Sequence, residues 1–174
     1  MATVIRTNFP DILSVIRARI AELEIAPLSS VIVSALPPED VPHGVGEHDV
    51  LLTPQDEQSD EDTSFGGGRY DTRASARLHV IPRSRLALDE SARDLARLTH
   101  STLGHYALRD SLRDALHLVW PEDGLRNALG VQPPRWIRTG APKRDRREKG
   151  ESVWVYSVME FLIVYPVDLD LTQQ

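Results

Sequence analysis

The chain has 174 residues, enough for one domain with a sizeable core, and its 41% hydrophobic and 26% charged content is that of an ordinary globular protein rather than a disordered one. It contains no cysteine, which excludes disulfides, thiolate zinc sites and thiol catalysis. The net charge of −6 speaks against a general nucleic-acid binder, in which basic charge would dominate a whole face.

The N-terminus, "MATVIRTNFPDI", lacks the apolar stretch and cleavage site of a secretory signal, so the protein is expected to fold where it is made. Ile12, Val15, Ile16, Ile20 and Leu23 share one face of a helix predicted from about Pro10 to Leu23, with Asn8 as its cap and Pro27 barring continuation. The β-branched run "SSVIVSA", 29–35, reads as a strand. A proline-rich connector, "LPPEDVPHGVG", leads to a second strand, "EHDVLLTP", at 47–54. Residues 55–68 then read as the long acidic and glycine-rich loop of an extended hairpin; loops of that length inside compact domains are usually functional or disordered.

From Arg69 to Val80 the apolar-leaning positions Tyr70, Thr72, Ala74, Ala76, Leu78 and Val80 alternate with Arg69, Asp71, Arg73, Ser75, Arg77 and His79. Period two means a strand with one wet face. The run Gly66–Gly68 before it is therefore the flexible end of a loop, not a phosphate cradle, which needs a helix N-terminus and a lysine after the glycines. "LALDESARDLARLTHSTL", with Ala92, Leu95, Ala96, Thr99 and Leu103 at helical spacing, predicts a helix, and "ALRDSLRDALHLV" at 107–119 restores the same period. Residues 120–150, with Pro121, Pro133, Pro134 and Pro142, read as a largely irregular basic insertion. The segment 152–166, "SVWVYSVMEFLIVYP", reads as one strand apolar on both faces, so Val153, Val155, Tyr156, Val158, Phe161, Ile163 and Val164 are expected to be buried in mid-sheet. The longest apolar stretch, "SVMEFLIVYPV", is too short and interrupted to span a bilayer. The predicted fold is α+β over residues 1–174: a single four-stranded, mostly antiparallel sheet with helices packed on it and two long loops.

Charge is unevenly placed. Residues 55–62 hold Asp56, Glu57, Asp60, Glu61 and Asp62 without a base; residues 135–149 hold Arg135, Arg138, Lys143, Arg144, Arg146, Arg147 and Lys149 against Asp145 and Glu148. Little else points to chemistry. The histidines show no HExxH spacing, no GxSxG elbow presents a serine, and the acidic run lacks the rigid, convergent ligands of a cation site. No enzyme, cofactor or metal is expected. Trp136, flanked by Arg135 and Arg138, reads either as an interface anchor or as a lid over the core. Two long, oppositely charged insertions suit a protein that assembles with itself, since opposite charges on separate parts of one chain favour head-to-tail contacts that close into rings.

The succession of a helix ending "RARIAEL", a strand, a proline-rich connector, a long-looped hairpin, the strand "RYDTRASARLHVI", a helix beginning "DESARDLARL" and the strand "VWVYSVMEFLIVY" resembles the tail terminator or tail completion (neck) proteins of long-tailed bacteriophages over roughly residues 9–166. The resemblance implies a hexameric ring at the head-proximal end of the tail. There it would stop tube growth, bind the tail tube protein and the head-side connector or stopper, and let DNA pass unread, in a virion assembled in the host cytoplasm without a membrane. On this reading Trp136, Arg138, Lys143, Arg144, Arg146 and Arg147 are interface candidates. Asp56, Glu57, Asp60, Glu61 and Asp62 either line the lumen, contact the tube or form a solubilising loop. Another connector or tube component is a close variant. A different class is a small nucleic-acid-binding protein using Arg69, Arg73, Arg77 and the 135–149 run on a phosphate backbone.

Overall fold

A computed structural model describes residues 9–23, 28–60, 71–87, 99, 104–118, 133–145 and 152–168. In chain order these form α1 (Phe9–Ala21), β1 (Leu28–Val33), β2 (His48–Asp60), β3 (Asp71–Ala87), α2 (His105–Arg113), β4 (Arg135–Thr139), β5 (Lys143–Arg144), β6 (Ser152–Tyr156) and β7 (Met159–Asp168). The class is α+β as expected, but the sheet is larger than four strands: among the described residues it has seven, and it is mixed. The parallel pair is β1 with β2, because the connector 34–47 carries the chain back to the end of the sheet where β1 began. All other pairs are antiparallel.

The period-two pattern of β3 sorts the two faces. Ala74, Ala76, Leu78 and Val80 point to the helices and are buried with Ile12, Ile16 and Ile20 of α1, Leu108 and Leu112 of α2, and Phe161 and Ile163 of β7. Val15 of α1, expected on the buried face, is instead 37% exposed. Among the described residues the opposite face carries no helix and is covered at one end only, where the connector lays Val41 over Leu51, Ile81 and Tyr156.

Three expectations about the chain are corrected. The hairpin does not open at residue 55: β2 runs on to Asp60, paired with β3 as far as Arg73, so Asp56, Glu57 and Asp60 stand on a strand. What hid this is a bulge, for the register slips between Pro54 and Glu57, and a proline followed by polar residues reads as a turn in sequence. Nor is the stretch 133–145 irregular. After Pro133 and Pro134 it forms β4 on β7 and β5 on β6, with Gly140 N–H donating to Val158 O (2.8 Å) between them, so one line of chain borders the sheet.

The expected single strand 152–166 is two. β6 and β7 keep one register along β3, Arg83 facing Tyr156 and Val80 facing Met159. At the junction Ser157 N–H reaches Pro82 O (3.2 Å), but Pro82 has no N–H to return. Val155, Tyr156, Phe161 and Ile163 are buried as expected. Val153, Val158 and Val164 are only half-buried; Val158 and Val164 lie on the face opposite the helices, which no complete layer of the described residues covers. The helix expected from "DESARDLARL", and residues Arg69, Tyr70, Glu61, Asp62, Arg146 and Arg147, lie outside the described residues.

Candidate protein interface

β4 is built to be seen from outside. It pairs only with β7 among the described residues, and Arg135, Trp136, Ile137 and Arg138 are all exposed. Trp136 is not part of the core cluster and keeps a face in solvent. Its backbone N–H donates to His117 Nδ1 (3.2 Å), its indole Nε1–H to Thr139 Oγ1 (3.0 Å), and the Arg113 guanidinium lies 5.6 Å from its ring centre. These contacts fix a large aromatic at 36% exposure, beside Ile137 at 43%. A pinned aromatic with an apolar neighbour and arginines around it has the composition of an interface hot spot.

The arginines are fixed too. Glu160 of β7, its side chain 7% exposed, accepts from Arg138 Nε (2.6 Å) on one oxygen and from Arg77 Nη1 (3.1 Å) on the other. Both guanidiniums remain mostly in solvent, so as surface ion pairs they add little stability; what they gain is a set position. Lys143 and Arg144 of β5 extend the basic line along the same border. The line ends at Asp145, buried, whose N–H donates to Trp154 O (2.8 Å) and whose carboxylate lies 3.1 Å from His43 Nε2.

The acidic candidates are at the other border. Asp56 and Glu57 are exposed, and Glu57 accepts a hydrogen bond from the Tyr165 hydroxyl. The structure therefore does not bring the two sets of charges together within one copy. It puts them on opposite edges of one sheet.

Two buried polar clusters escaped the sequence reading. On the face opposite the helices Arg83, 1% exposed, pairs with Asp49, 0% exposed, and donates to Val41 O (2.8 Å) and Pro42 O (3.0 Å), while Gly44 N–H donates to Asp49 (2.8 Å). This clamps the connector to the sheet. Alongside, His43 stacks on Trp154 at 4.2 Å, and the Tyr156 hydroxyl donates to Glu39 (2.6 Å). Burial first, then the Glu39 carboxylate, pushes the Tyr156 phenol up to about 12, and that same bond holds Glu39 below the usual carboxylate range. Burial also lowers the His43 imidazole.

On the helix side a chain of side chains runs from His48 Nδ1 to Ser84 Oγ (2.8 Å), on to His105 Nδ1 (2.9 Å), and from His105 Nε2 to Ser157 Oγ (2.8 Å). Burial, with the charges of His48 and Arg109, pushes His105 down to about 4, so the ring is neutral at physiological pH. Serine beside histidine suggests nucleophilic chemistry, but every member is 5% exposed or less, and a nucleophile needs a substrate. The chain works as a latch that joins the first turn of α2 to β2, β3 and the β6–β7 junction. Its sequence signal was a polar residue in each apolar run, as in "HDVLL" and "VIPRS".

Among the described residues no three His, Asp or Glu side chains are grouped so as to hold a metal. No helix among them is long and apolar enough to cross a membrane. Set against protein families and characterised proteins, the chain matches no family model and no curated protein.

Proposed function

We propose that the protein is a structural subunit of a ring at the head-proximal end of a phage tail, where it ends the tail tube and joins it to the head connector while DNA passes through the lumen. The hexameric stoichiometry and the partners, tube protein and head-side stopper, come from the family resemblance. The observation that carries the reading is the separation of charge: the basic, aromatic border at β4 and β5 and the acidic border at β2 lie at opposite sides of one sheet. A twofold dimer would bring like border to like, arginine to arginine or carboxylate to carboxylate, and repel. Only a head-to-tail contact matches opposite charges, and head-to-tail contacts close into rings where the rotation from copy to copy completes a circle.

Negative-stain electron microscopy and sedimentation of the full chain test this. The expected result is a ring with a central hole; a monomer or a closed twofold dimer at all concentrations refutes it. The nucleic-acid reading draws on the same basic line, Arg135, Arg138, Lys143 and Arg144. It requires DNA binding by the monomer that falls steeply with salt.

A further inference from the structure

The half of the sheet away from β1 is a unit of its own. β1 ends at Val33, opposite Leu52, and Ser34 N–H closes that pairing on Leu52 O (3.0 Å). Beyond it, among the described residues, the order across the sheet is β2, β3, β7, β4, every neighbour antiparallel. The two borders of this unit are the β2 arm, "PQDEQSD" (54–60), and β4, "RWIRT". On the β2 arm the Pro54 carbonyl accepts from the Gln55 side chain (3.0 Å), a local substitute for a strand partner.

We propose that β4 of one copy docks against the β2 arm of the next, an inference that rests on the ring reading and names its contact. Three observations carry it. An even number of alternating strands leaves β4 and the β2 arm running in opposite directions, so a neighbour placed side by side continues the antiparallel alternation instead of breaking it. The charges match: Arg135 and Arg138 on β4 against Asp56 and Glu57 on the arm. Glu160 engages Arg138 through Nε alone, which leaves the outer nitrogens of a guanidinium whose side chain is 76% exposed for a second carboxylate. Trp136 and Ile137 then supply the apolar centre of the contact, with the ion pairs at its rim.

The chain has no cysteine, so introduced pairs report contacts cleanly. Asp56→Cys combined with Arg135→Cys in the full-length protein is expected to oxidise into a ladder of covalent oligomers ending at the ring. Either cysteine alone should stop at dimers. By sedimentation, Arg135→Glu and Asp56→Lys should each weaken assembly about tenfold or more, and the two together should restore most of the loss. If the wild type forms rings but the paired cysteines give no ladder and the double reversal no rescue, this contact is wrong and the ring reading stands. If the wild type stays monomeric and no ladder forms, both fall.

Discussion

Lowering the pH from about 7.5 to about 5 is expected to destabilise the protein by about 2 kcal/mol through His105 alone. The ring has no solvent exposure, lies between Ser84 and Ser157 hydroxyls at 2.9 and 2.8 Å, and burial holds it at about 4 rather than the ordinary 6.5. As pH falls the unfolded chain takes up the proton first, near 6.5, while the native ring declines it until about 4. The stabilisation is therefore complete above 6.5, shrinks through the window and is gone below about 4. At roughly 1.4 kcal/mol per pH unit the whole window is worth about 3 kcal/mol. His43 and Glu39, both held down in the folded state, act with the same sign, so the His105 share has to be read by difference. Urea unfolding followed by tryptophan fluorescence at several pH values, on wild type and His105→Gln, measures it. The wild type should lose about 2 kcal/mol more than the variant across that range; identical pH slopes would refute the argument.

Phe161→Ala, emptying a fully buried site between the sheet and the helices, should cost about 3–5 kcal/mol; a loss under about 1 kcal/mol would mean that β7 is not central. Asp49→Ala leaves the Arg83 guanidinium buried without its carboxylate and should cost about 3–5 kcal/mol, with faster proteolysis of the connector 34–47 as a second readout. Trp136→Ala should lower monomer stability by no more than about 1 kcal/mol yet weaken assembly; the reverse, a damaged fold with assembly intact, would place Trp136 in the core after all.

The parts of this fold that were legible in sequence are those where one strand or helix declares its own burial. The alternation from Ala74 to Val80 and the helical spacing of Ile12, Ile16 and Ile20 are local patterns, and both became the core. What was illegible is whatever a partner strand decides. "RWIRT" has no apolar alternation because neither of its faces is buried; it is a strand only because β7 offers it hydrogen bonds. "PQDEQSD" is likewise a strand because β3 continues past it, and its bulge removes even the proper period. Arg83 lies in phase with exposed Arg77, and nothing in the sequence says that a connector forty residues upstream in the chain folds over one and not the other. The interface candidates Trp136, Arg138, Lys143 and Arg144 did fall together, since they adjoin in sequence and the sheet border keeps that order.

The position of the acidic residues now separates two uses of them. A loop lining a lumen repels phosphates and keeps DNA mobile, and it does so without touching neighbouring subunits. A strand arm facing the basic border of the next copy instead holds the ring together. Asp56 and Glu57 stand on β2, and Asp60 closes it, so at least these three belong to a strand with a fixed direction. Replacing Asp56, Glu57, Asp60, Glu61 and Asp62 with lysines tells the uses apart. Under the lumen role the substituted protein still forms rings, and particles carrying it fail at DNA passage or tail joining. Under the edge role the lysines at 56 and 57 face Arg135 and Arg138 of the neighbour, the contact turns repulsive, and the protein remains monomeric with its far-ultraviolet circular dichroism unchanged. Intact rings in electron micrographs of that variant would remove the acids from the interface.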